Sequence, residues 1–417
     1  MLWGDFLNYN ETLDYIHSLG NFGLPAGLER ISLVLKKLGN PQNDFKSIHI
    51  AGTNGKGSVS CMLSSVFKCA GYKTGAFISP FIIDFCERIQ INGEFISEKD
   101  LICYTQRVKE LNIELTEFEF ITAVAFLYFK ENNIDILICE TGLGGRLDAT
   151  NTLDNLVCAV ITKIGLDHTA ILGDTIEKIA QEKCGILRDC PTVTSPCQKS
   201  AALEVIKLKA KELYIPDENE VEITSCDING NTFIYKGKKY TIGLCGEYQV
   251  ENAVTVIETV KNCGYEIMYE TLFEGLKIAR FPARMEIISK LPLVVLDGAH
   301  NPDGACVLEG ELKSYSENIT AIIGMMKDKN VEDVLKTTLK HCKNCIAVKV
   351  NDLPRSMDAT KLCEKANKYC RCETAKDLQS AIAKAKEISK GKPIFVFGSL
   401  YLASAIRPLL KKEFEKN

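Results

Sequence analysis

The residues best suited to chemistry begin at Gly52-Thr53-Asn54-Gly55-Lys56-Gly57-Ser58, a glycine-rich run holding one lysine between an apolar stretch and a segment of helical period. Glycines let backbone N–H groups close around phosphate oxygens, a helix start adds partial positive charge, and Lys56 can reach the β- and γ-phosphates of a nucleotide. Without the lysine, the run would read as strand-to-helix punctuation. It departs from the general phosphate loop, because position 50 is Ile and Lys56 is followed by Gly. Glu140 follows the apolar run Ile134–Cys139, and His168 lies a few residues beyond Leu156–Ile161. Both therefore belong at the carboxyl ends of parallel strands, where open α/β sheets bind ligands. Glu140 and Ser79 offer the carboxylate and hydroxyl oxygens that a phosphate-bridging magnesium ion takes; histidine is a less usual ligand for so hard a cation.

These residues need a scaffold, and the pattern around them supplies one. Short β-branched runs alternate with helical-period segments, which is the signature of βαβ units and an α/β fold. Lys46–Ala51 reads as a first buried strand, and Val59, Met62, Leu63, Val66, Phe67 and Ala70 then recur at helical spacing. The uncharged stretch from Phe120 to Phe129 reads as a buried helix, at about half the roughly 20 residues that a membrane span needs. Residues 221–242 carry strand signals around an Asn229-Gly230-Asn231 turn, which predicts a β-hairpin on the main sheet.

After Arg280-Phe281-Pro282-Ala283-Arg284 a second series of strands is expected at Leu293–Asp297, Thr320–Gly324, Cys345–Val350 and Ile394–Gly398. Pro282 restricts the residue before it and marks a linker, placing the domains at 1–281 and 282–417. The N-terminal unit is read as a mostly parallel sheet with the phosphate loop, and the smaller C-terminal one as Rossmann-like α/β. The segment Lys411–Asn417 reads as a solvated helix end.

Composition narrows the function. The 417 residues hold 50 Lys+Arg against 54 Asp+Glu, a net charge of −4 that offers no broad positive field to a nucleic-acid backbone. Asp5 and Glu11 sit where a signal peptide carries positive charge, so a cytoplasmic protein is expected, with no membrane or nucleic-acid partner. The 18 cysteines are scattered and read as reduced, mostly buried thiols, and Cys370-Arg371-Cys372 is too tightly spaced for the usual zinc knuckle.

The run Gly52–Ser58 closely resembles the folate branch of the Mur ligase superfamily, the folylpolyglutamate synthase/dihydrofolate synthase family. The resemblance extends through Phe22-Gly23-Leu24 with Gly27-Leu28-Glu29-Arg30, Ile78-Ser79-Pro80, Glu140 to Asn151, Asp167-His168, Glu182 to Ile186, Asp297 to Pro302 and Ser399-Leu400-Tyr401. It implies an ATP-dependent ligase in which a carboxylate is phosphorylated and the amino group of L-glutamate displaces phosphate from the acyl phosphate. The acceptor would be a reduced folate, dihydropteroate or both, and the enzyme a monomer.

The resemblance also implies roles. ATP would sit on Gly52, Thr53, Asn54, Gly55, Lys56, Gly57 and Ser58, with Asn252 at adenine, Arg284 at phosphate, and Asp297 and His300 facing the nucleotide from the second domain. Two magnesium sites would use Ser79, Glu140, His168 and Lys183, the lysine being carbamylated. Residues Thr116–Glu119 and Asp148–Asn151 would lie near the acceptor. Read alone, Glu140 and Asp297 could equally cap helices, His168 could be a hydrogen-bonded core residue, Lys183 one of an exposed helix pair, Arg284 and Asn252 surface residues, and Phe118 core. The family's usual Gly before Arg284 is Ala283 here, so the local turn is in question. Other readings are a muramyl-type ligase, against which Gly57 after Lys56 stands, and a nucleotide-binding switch, for which Thr162-Lys163-Ile164-Gly165 lacks the guanine-reading Asp.

Overall fold

A computed structural model of the chain describes residues 8–20, 27–82, 84–315, 318–350 and 354–414. Phe22-Gly23-Leu24 and the last three residues of the Lys411–Asn417 segment lie outside them. The fold is α/β, built on three sheets. The largest has eight strands: β1 (Lys46–Ala51), β2 (Thr74–Phe77), β3 (Ile89–Ile91), β4 (Glu94–Phe95), β5 (Ile136–Glu140), β6 (Leu156–Ile161), β7 (Pro191–Thr194) and β8 (Glu212–Tyr214). Their order is β4-β3-β2-β5-β1-β6-β7-β8, with every pair parallel except β2–β3 and β3–β4. Strands buried on both faces read as continuous apolar runs, which is why β1, β5 and β6 stand out in the sequence.

Helix Glu117–Glu131 covers one face, and every residue from Phe120 to Phe129 is buried. Thr116 caps it: its hydroxyl accepts from the Glu119 N–H, and the Glu119 carboxylate returns to the Thr116 N–H. Helix Lys56–Cys69 covers the other face through Val59, Met62, Leu63, Val66 and Phe67.

The segment read as a hairpin on the main sheet is instead a separate antiparallel sheet of β9 (Val221–Asp227), β10 (Gly230–Tyr235) and β11 (Lys238–Ile242). Phe233, Tyr235 and Tyr240 bury their rings beside helices Tyr248–Asn262 and Tyr269–Ile278, so it packs face-on against helices and pairs with no main-sheet edge. Gly230 pairs with Asp227, so its turn centres on Ile228-Asn229, one residue earlier than the sequence suggests.

The third sheet contains β12 (Glu286–Lys290), β13 (Leu293–Leu296), β14 (Ile319–Ile323), β15 (Cys342–Val348), β16 (Arg371–Ala375) and β17 (Ile394–Phe397). The order is β12-β13-β17-β14-β15-β16, with only β12 antiparallel. Against the expectation of scattered cysteines, Cys342-Lys343-Asn344-Cys345 has a Cys-x-x-Cys spacing. It lies in extended β15, where residues three apart are about 10 Å from each other, unlike a metal-binding turn. The linker keeps a tight turn without the glycine: Ala283 is fully buried and holds φ at +51°, the left-handed conformation that glycine adopts without strain. The loop after Ser79-Pro80 sends Ile82 into the core of the third-sheet unit, joining the two halves.

Candidate active site

Four adjacent strands, β2, β5, β1 and β6, end on one rim of the main sheet, and each delivers part of the site. β1 leads into the glycine run and helix Lys56–Cys69. The loop is tight at defined points. A Cβ on Gly52 would sit 1.8 Å from Thr162 Oγ1, and one on Gly55, whose φ is +92°, would lie 2.4 Å from Asn252 Oδ1. The Thr53 and Asn54 amides donate to Lys163 O, and the Gly165 N–H donates to Thr53 Oγ1, stitching this loop to the one after β6. Val59 N–H is bonded back to Gly55 O, so the three amides before it, which start the helix, have no partner within it, the arrangement that makes a helix start able to take an anion.

Lys56 and Lys183 both donate to Gly52 O, at 3.1 and 2.7 Å. Lys183 is buried at the end of helix Ile176–Lys183, not exposed as an isolated helix pair would be. Burial first, then the Lys56 charge, pushes its ammonium down to about 7. Glu140 is the last residue of β5 and is also buried. Its carboxylate lies 3.9 Å from Lys56 Nζ and 3.4 Å from the Ser79 N–H, yet burial pushes it up to about 7 against both. A buried carboxylate so poorly compensated suits a divalent cation. Among the described residues there is no group of three or more His, Cys, Asp and Glu that could hold a metal ion.

His168 caps the short helix Thr169–Leu172 at φ +48°, half exposed, with Nε2 3.7 Å from Asp167 Oδ2. Burial and the nearby Lys329, Lys183 and Lys56 charges hold its pKa below the usual range, against the opposing pull of Asp167. From the other domain, Lys329 Nζ reaches Asp167 Oδ1 at 3.6 Å. Asp297 sits past the end of β13, with Oδ2 accepting from the Met285 N–H and Oδ1 from the Ala299 N–H, both at 2.8 Å. It therefore braces the linker. His300 Nδ1 lies 2.8 Å from Gly298 O, and burial pushes the ring down to about 4, so it is neutral. Arg284 stands beside both Asp297 and Glu140 and lowers each carboxyl against burial. Asn252 lies against Gly55, held by Gln249 Oε1 at 2.9 Å.

The predicted residues thus gather at one cleft, with His168 at its edge beside Asp167, near enough to feel the Lys183 and Lys56 charges. Phe118 sits against Phe77 and Gly142, at the edge of the core. Three residues that contact predicted ones had no sequence signal: Lys329, paired with Asp167; Arg88, whose Nη1 donates to Ser79 Oγ at 3.3 Å; and His49, against Thr150.

Comparison with known proteins fits this geometry. The Mur ligase middle domain profile matches residues 50–260, and the dihydrofolate synthetase C-terminal domain matches 285–410. The dihydrofolate synthase/folylpolyglutamate synthase of Bacillus subtilis is 34% identical, covering 97% of this chain and 100% of its own. The chain belongs to the folylpolyglutamate synthase/dihydrofolate synthase family. Escherichia coli FolC, solved with DHPP and ADP, superposes with a TM-score of 0.88 at 29% identity over 98% of each chain. The bifunctional Yersinia pestis enzyme, solved with AMPPNP and a Mn ion, gives 0.86 at 29% identity over 97% of this chain and 98% of that one. No described helix is long and apolar enough to cross a membrane.

Proposed function

We propose that the protein is an ATP-dependent ligase joining the amino group of L-glutamate to the carboxyl group of a folate: tetrahydrofolate in chain extension, and dihydropteroate in dihydrofolate synthesis. The observation that carries this reading is the convergence of Lys56, Lys183, Glu140 and Ser79 on one rim opposite Arg284 and His300, in a chain matching the family almost end to end.

In this reading the amides of Gly52–Ser58 and Lys56 hold the β- and γ-phosphates, and Asn252 borders the base. Ser79, Glu140 and His168 would hold magnesium, with Lys183 as a carbamate. Its amine is partly neutral near pH 7, so it can add to carbon dioxide, forming an N–C bond and releasing a proton. When bound, the divalent cations neutralise charge gathering on the phosphates. The folate carboxylate attacks the γ-phosphorus and ADP leaves. Glutamate's amine then attacks the acyl phosphate and phosphate leaves. His300, neutral with Nδ1–H directed at Gly298 O, keeps Nε2 as an acceptor for a proton the amine sheds. Arg284, flanked by carboxyls from both domains, closes the cleft over phosphate and excludes the water that would hydrolyse the acyl phosphate.

The domain from residue 282 onward would carry the glutamate side of the reaction, and residues 1–281 the nucleotide and folate. A monomer in the cytoplasm is the working form. ADP release that requires both a folate acceptor and glutamate, and fails with muramyl precursors or with nucleotide alone, supports this reading; turnover without an acceptor would sink it.

A further inference from the structure

Beneath the loop that follows β5 runs a buried chain of three side chains: His49 on β1, Thr150 and Asp148. His49 Nε2 lies 2.8 Å from Thr150 Oγ1, and the Thr150 hydroxyl lies 2.5 Å from Asp148 Oδ1. Chemistry fixes the direction of this chain. Asp148 already accepts the Thr150 N–H at 3.1 Å and the Leu143 N–H at 2.8 Å, so its carboxylate takes the one hydroxyl proton of Thr150. Thr150 Oγ1 must then accept from His49, which places the His49 proton on Nε2. The other ring nitrogen agrees: Nδ1 is buried with no hydrogen-bond partner, a position that suits a bare lone pair and would orphan an N–H.

The bonds that Asp148 makes to residues 143 and 150 close the turn Gly142–Asp148, and that turn touches both halves of the site. A Cβ on Gly142 would meet the Phe118 ring at 2.5 Å, and one on Gly145 would meet Lys183 O at 2.6 Å. The Arg146 N–H donates to Glu182 O at 2.8 Å. Asn151 adds a brace, with Nδ2 on Arg146 O and Gly185 O. The orientation of Asp148 therefore sets the wall between Phe118 and the helix that carries Lys183.

We infer that His49, acting through Thr150, is a positioning residue for the loop Gly142–Asp148 and thereby for the pterin-bearing acceptor. The inference rests on the folate-ligase reading. Losing a hydrogen bond to a charged group raises a dissociation constant about tenfold.

The test compares Thr150→Val and His49→Phe with their conservative partners Thr150→Ser and His49→Gln, which keep a hydroxyl and an N–H donor. The expected result is an acceptor KM raised about tenfold in the first pair, with the KM for ATP within about twofold, and near-complete recovery in the second pair. Amide hydrogen exchange should quicken at Leu143 and Thr150 in Thr150→Val and stay slow in Thr150→Ser. Unchanged acceptor KM in both disrupted variants, or equal losses for ATP and acceptor that the conservative variants do not rescue, would overturn the inference alone. A wild-type protein that glutamylates no folate acceptor would overturn the folate reading and the inference with it.

Discussion

Lys56 and Lys183 direct their ammonium groups at a single acceptor, the carbonyl oxygen of Gly52, at 3.1 and 2.7 Å. Two like charges sharing one buried oxygen cannot both be comfortable, and the more deeply buried Lys183 is the one pushed toward neutrality. That arrangement supplies the free amine that carbamate formation needs. Arginine at 183 keeps the charge and cannot form the carbamate, so Lys183→Arg should lose roughly 100-fold or more in kcat. With labelled bicarbonate, the wild type should show a carbamate carbon signal that the variant lacks. Full activity in the variant would remove the carbamate from the mechanism.

Glu140 illustrates a conflict between stability and activity. Its folded pKa, about 7, lies above its ordinary value of 4.5, so its contribution to stability is fully present below pH 4.5 and is lost as pH rises through 7. Glu140→Gln keeps the shape and drops the charge. The metal-free variant should therefore melt no lower than wild type at pH 8, while turnover falls about 100-fold or more. Calorimetry beside an ADP-release assay checks both; a lower melting temperature would show that the charge is well compensated.

His49 has the opposite sign. Burial, aided by Arg188, lowers its pKa to about 3, against 6.5 when exposed. The unfolded chain therefore binds the extra proton first, and stability should fall as pH drops from about 6.5 toward 3, by up to about 1.4 kcal/mol per pH unit. Denaturant titrations of wild type and His49→Gln across that range should diverge below pH 6.5, with the variant flatter. Parallel curves would mean that His49 does not report this burial.

Ala283 occupies a conformation suited to glycine, at φ +51°. Restoring glycine relieves backbone strain but adds freedom to the unfolded chain, and the first effect is larger. Ala283→Gly should stabilise the protein by about 1 kcal/mol, measured by the denaturant midpoint. Destabilisation would show that the buried methyl group matters more than the turn.

How much of this was legible in sequence follows from burial and chain locality. β1, the glycine run Gly52–Ser58 and the helix after it are contiguous and strongly patterned, and the Lys46–Ala51 and Leu156–Ile161 strands hold as read. Short or edge strands carry little pattern: β2 is only four residues with a glycine, and β12 is an antiparallel edge, and neither was anticipated. The sequence does not place the three-stranded sheet, because its aromatic residues announce burial without saying against what. Lys183 was named only through family resemblance, since a lysine after a glutamate looks exposed until a fold buries it. Lys329 and His49 act across the chain, on Asp167 and Thr150, and no local spacing reports such pairs.

The most direct test of the central claim is mass detection of product with ATP, magnesium and L-glutamate, offered dihydropteroate or tetrahydrofolate. The account predicts ADP release coupled one-to-one to acceptor carrying an added glutamyl residue, with both acceptors serving. Product from tetrahydrofolate alone would restrict the enzyme to chain extension. Folded protein that releases no glutamylated product from either acceptor would contradict the account.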